Sequence, residues 1–60
     1  MKIGDKVCVT DVNDTKLLRV VVAIENGYAY VSKDEEIRRA RAEKREPTCI
    51  GFPLSSIVAP

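Results

Sequence analysis

At 60 residues the chain is one domain, 1–60, with a small core and marginal stability. Ten basic and nine acidic residues leave a net charge of +1, so bulk charge does not point to nucleic acid or to a membrane surface. With no histidine and only two cysteines, Cys8 and Cys49, the chain lacks the donors of a zinc site within one protomer, and no cofactor is expected.

Gly4-Asp5 reads as a turn into a first strand over about 5–12, where Val7 and Val9 alternate with Lys6, Cys8 and Thr10. Asn13-Asp14-Thr15 is turn chemistry. A second strand over 17–25 is rich in β-branched residues. Its alternation puts Leu18, Val20, Val22 and Ile24 on an apolar, inward face and Leu17, Arg19, Val21, Ala23 and Glu25 on the other.

Asn26-Gly27 is the strongest local signal. A two-residue hairpin of type I′ needs positive φ at both central positions, which this pair supplies best. The turn sets Glu25 opposite Tyr28, Ile24 opposite Ala29, Ala23 opposite Tyr30 and Val22 opposite Val31. Ala29 and Val31 then face inward, while Tyr28 and Tyr30 share the outer face with Val21, Ala23 and Glu25.

The stretch 33–46 has charged residues, two alanines and one isoleucine, without Gly or Pro, and predicts a helix. Ser32 with Glu35 forms a capping-box pattern, acids fill the first turn and bases the last, and Pro47 stops it. Residues 48–52 return to a strand-like pattern, 53–56 read as a tight or 3₁₀ turn, and Ile57-Val58-Ala59 as a short closing strand. The longest apolar run, Val20 to Ile24, is too short to span a bilayer. The N-terminus lacks the long apolar stretch of a secretion signal, so a cytoplasmic protein with reduced thiols is expected.

Gly4-Asp5-Lys6-Val7 followed by Val9 resembles the first strand of KOW and Tudor-like domains. Phe52-Pro53-Leu54-Ser55-Ser56-Ile57 resembles the 3₁₀ turn and last strand of SH3-like barrels. The resemblance implies a mainly β fold: a five-stranded antiparallel SH3-like barrel, with the helix of 33–46 inserted between the third and fourth strands. Functions do not transfer with this fold. No aromatic run of the proline-peptide-binding kind is present, and Tyr28, Tyr30 and Phe52 do not suit an aromatic cage.

Two surfaces stand out. Tyr28, Tyr30 and Val21 form an apolar outer face, which is to be covered by the helix through Ile37 and Ala40 or by a partner. Arg38, Arg41 and Arg45 share one ridge of the helix at about 100° per residue; they suit phosphate or an acidic partner, unless the helix is simply laced with ion pairs such as Asp34–Arg38. Catalytic constellations are lacking: there is no His, no nucleophile elbow around Ser55-Ser56 and no calcium-loop spacing around Asp11 and Asp14. The expectation is a noncatalytic protein-interaction module, binding a protein partner or a second copy of itself. RNA or DNA binding through the arginine ridge is the alternative, and neither membrane nor small-molecule substrate is expected.

Overall fold

The computed structural model describes all 60 residues. Strands β1 (Lys6–Thr10), β2 (Lys16–Glu25) and β3 (Tyr28–Ser32) are followed by helix α1 (Asp34–Ala42), strand β4 (Ile50–Pro53) and a 3₁₀ turn (Leu54–Ser56). The four strands form one antiparallel sheet in sequence order. The protein is mainly β, with its helix after the third strand.

The connections follow from local chemistry. Asp11 Oδ1 accepts from the backbone N–H of Asn13 and Thr15 at 2.8 and 3.0 Å, which closes the β1–β2 turn. Asn26 and Gly27 have φ of 50° and 81°, as a type I′ hairpin demands. The register next to the turn is the expected one: Glu25 opposite Tyr28, Ile24 opposite Ala29 and Ala23 opposite Tyr30.

One step further the register shifts. Val21, not Val22, lies opposite Val31, and the strand is irregular between Val21 and Ala23. Val22 is the extra residue of a β-bulge, which reverses the facing of every residue before it. Val21 is therefore 1% exposed and Leu18 is 53% exposed, the reverse of the expected arrangement. The physical cause is the valine run: residues of both parities are apolar, so alternation alone does not choose a face. The choice is made by β1, whose buried Val7 and Val9 sit opposite Arg19 and Leu17. Val7, Val9, Val21 and Val31 make the core, with Leu17, Phe52 and Ile57 packed against it. Ile24 keeps its inward side beside the buried Ala29, near the hairpin tip.

The expected fifth strand is reduced to one bridge, between Cys8 and Val58. Its two hydrogen bonds, Cys8 N–H to Val58 O and Val58 N–H to Cys8 O, are 2.8 and 3.1 Å long. Extending this pairing would set Lys6 opposite Pro60, which has no N–H to give. It would set Thr10 opposite Ser56, which belongs to the 3₁₀ turn. The expected five-stranded barrel is thus observed as a four-stranded open sheet with a single bridge at its β1 edge.

The helix is also shorter than the expected 33–46. Lys33 is its N-cap, without a side-chain cap. The Ser32 hydroxyl, expected in a capping box, instead donates to the Thr48 carbonyl at 2.7 Å, fastening the start of α1 to the approach to β4. At the other end Lys44 has φ of 56°. Arg45 N–H reaches Ala40 O and Lys44 N–H reaches Arg41 O, a Schellman ending with lysine in the left-handed position usually held by glycine. Ala40 is buried. Ile37 and Arg41 line a cavity of about 250 Å³ with Val20, Val21 and Val22 of β2 and with Ile3-Gly4, so the helix faces the middle of β2 across this gap. It is not long and apolar enough to cross a membrane.

Candidate interaction surfaces

The arginine ridge comes first, because its geometry departs most from its spacing. Arg38 Nη2 pairs with Asp34 Oδ2 at 2.6 Å, the expected i,i+4 contact. Arg45 lies beyond the end of α1 and folds back. Its Nη1 meets Glu36 Oε2 at 2.8 Å and its Nε meets Glu43 Oε1 at 2.6 Å. Arg41 alone of the three has no carboxylate partner. The structure does not present three free guanidinium groups in a row.

Glu36 is the centre of this network. It takes Arg45 on one side, and its Oε2 accepts the Thr48 backbone N–H at 2.9 Å. The Arg45 hydrogen bond above all, and then the Thr48 N–H, hold its carboxyl at about 2, against an ordinary value of 4.5. Hydrogen bonds to Glu36 first and then to Glu43 raise the guanidinium pKa of Arg45 further above its already high value. Glu36 shares a cavity of about 270 Å³ with Arg19, Ser32, Lys33, Thr48 and others. A carboxylate held this acidic is a poor proton acceptor near neutral pH. Its position ties the first turn of α1 to the segment entering β4.

Of the expected tyrosine face, Tyr28 and Tyr30 lie on the outer side with Ala23 and Glu25, through the pairs Glu25–Tyr28 and Ala23–Tyr30. Tyr28 is 46% exposed. Tyr30 is half-buried, and its ring lies over Gly51 of β4. A Cβ on Gly51 would meet Tyr30 Cε1 at 2.8 Å, so the glycine leaves the space that the ring fills. Val21 does not belong to this face: the bulge at Val22 turns it into the core.

The same bulge exposes a surface that the alternation pattern hides. Leu18 pairs with Cys8, and Cys8 is bridged to Val58. Directly opposed residues in a sheet share a face, so Val58, Cys8 and Leu18 form a row across the outer side. Leu18 and Val58 are more than half exposed and Cys8 is half-buried. Lys6 and Lys16 share this face by parity. The sequence-level clue was the polar parity of Cys8 between the inward Val7 and Val9. Beside the row, a groove of about 330 Å³ runs between β1 and the last segment, lined by Lys6, Val7, Ile57 and Val58 with Met1, Asp5 and Ala59. Both cysteines are free thiols. No three His, Cys, Asp or Glu side chains cluster as metal ligands.

Comparison with family models, with curated proteins and with solved structures finds no match. The functional reading therefore rests on the geometry of this chain.

Proposed function

We propose that the chain is a noncatalytic protein-interaction module with an SH3-like arrangement, in which residues 57–59 take the place of the fifth strand. The strand order, the 3₁₀ turn after β4 and the return to the β1 edge at Val58 support that arrangement. The observation that carries the functional reading is the apolar part of the outer side of the sheet that the helix leaves open. Val20 and Val22 share a cavity with Ile37 and Arg41 of the helix, while Leu18, Val58 and Tyr28 stay open to solvent. Exposed apolar and aromatic side chains on a small sheet are what a binding surface provides. A reducing, cytoplasmic setting goes with this reading, since both thiols are unpaired. RNA binding through Arg38, Arg41 and Arg45 has less support, because Arg38 and Arg45 are already neutralised by carboxylates.

The test combines light scattering across concentration and salt with affinity capture by the wild type, Tyr28→Ala and Leu18→Ser. A dimer, or a captured protein that a folded surface variant loses, supports the module. A monomer whose captured proteins ignore both substitutions overturns it.

A further inference from the structure

We infer that the Val58–Cys8–Leu18 row and the groove beside it form a docking site for an extended, acidic peptide segment with apolar anchors. The inference rests on the interaction-module reading and names its surface and ligand chemistry. The row supplies apolar contact: Leu18 and Val58 stand open on either side of Cys8. The groove continues it past Val58 and Ile57.

Charge selects the partner. Because β1 and β2 run antiparallel, with Lys6 opposite Val20 and Thr10 opposite Lys16, the two lysines sit at opposite ends of the face with the apolar row between them. Neither has a carboxylate partner. No acidic residue occurs in Lys6–Thr10 or in Lys16–Val20. Asp5 lies at the groove, where it accepts the Lys2 backbone N–H at 2.8 Å, and Asp11 follows Thr10 in the β1–β2 turn, so the basic character of the face is confined to Lys6 and Lys16 on the face itself. A segment carrying leucine-like anchors flanked by carboxylates matches this arrangement at both ends. A second copy laid face to face would bring four lysines into one interface, which like-charge repulsion opposes.

The probe is a fluorescein-labelled peptide alternating aspartate and leucine, read by anisotropy and by amide shifts of the whole chain. Its controls are the lysine–leucine and aspartate–serine peptides and a labelled RNA oligonucleotide. The aspartate–leucine peptide should bind and move the amides of Cys8, Leu18 and Val58. Leu18→Ser should weaken it at least about tenfold, the scale of one buried apolar anchor. Lys6→Glu with Lys16→Glu should weaken it about tenfold at low salt, with the difference fading at high salt. Both changes are at exposed positions, and circular dichroism checks the fold. No binding, equal binding of the lysine peptide, shifts centred on Tyr28, or RNA binding indifferent to Leu18→Ser each overturns the inference. So does a dimer that protects Leu18. Surface-dependent capture through Tyr28 would leave the module standing while this docking site falls; loss of both results removes both.

Discussion

Val21→Ala is the sharpest probe of the bulge. Val21 is among the largest fully buried side chains and sits in a core of four valines. The substitution removes two methyl groups, each worth about 0.8 kcal/mol in transfer, and the partly collapsed cavity adds to that. We expect a loss of about 2 kcal/mol. A domain of this length has roughly 3–9 kcal/mol in all, so the loss is a large fraction, and the midpoint of thermal unfolding should fall by about 8–16 °C. The comparison is Leu18→Ala, which deletes more carbon from a side chain that is 53% exposed and should cost less than about 1 kcal/mol. Urea unfolding followed by circular dichroism, with equal slopes for the variants, gives both numbers. If Leu18→Ala costs as much as Val21→Ala, β2 pairs without the bulge, and the reasoning that places Leu18 outside is refuted.

Two further outcomes follow from the helix and its ties. Glu36 is held at about 2 in the folded chain, against 4.5 ordinarily. Its contribution is therefore full above the ordinary value and is lost as pH falls toward about 2. Urea midpoints between those limits should fall more steeply for the wild type than for Glu36→Gln, and parallel curves would show that the Arg45 and Thr48 contacts do not matter. Lys44→Gly relieves a left-handed lysine at φ of 56°. It should raise stability by about 1 kcal/mol, read as a higher unfolding temperature, and a lower one would mean the Schellman ending does not form.

What the chain order reveals and what it hides divides along a physical line. Signals carried by neighbouring residues were legible. Asn26-Gly27 set the hairpin and its first three pairs, the turn after Phe52-Pro53 is the 3₁₀ turn, and the charged stretch is a helix. Features decided by distant partners were not. Val20, Val21 and Val22 offer both faces equally, and only pairing with β1 selects Val21. Ser32 has a capping partner in sequence but a better one in Thr48, sixteen residues away. Arg45 falls on the helical ridge by spacing, yet the helix ends before it and Glu36 and Glu43 take it. The fate of the candidate surfaces follows the same division. The tyrosines keep their outer parity because the turn fixes it locally, whereas Val21 is lost to the core and Leu18 gained by the outer face through one unopposed residue.

The single Cys8–Val58 bridge bears on how the sheet comes apart. Along the hairpin, each opening must break several neighbouring hydrogen bonds anchored by the type I′ turn. At the β1 edge, the final segment is held by two, with Pro60 and the 3₁₀ turn preventing a longer ladder. Breathing motions should therefore begin at the C-terminal end, well below the free energy of global unfolding. Each such opening would free the outward backbone groups of Cys8 while β2 and β3 remain paired, making this edge the most adaptable part of an otherwise fixed sheet.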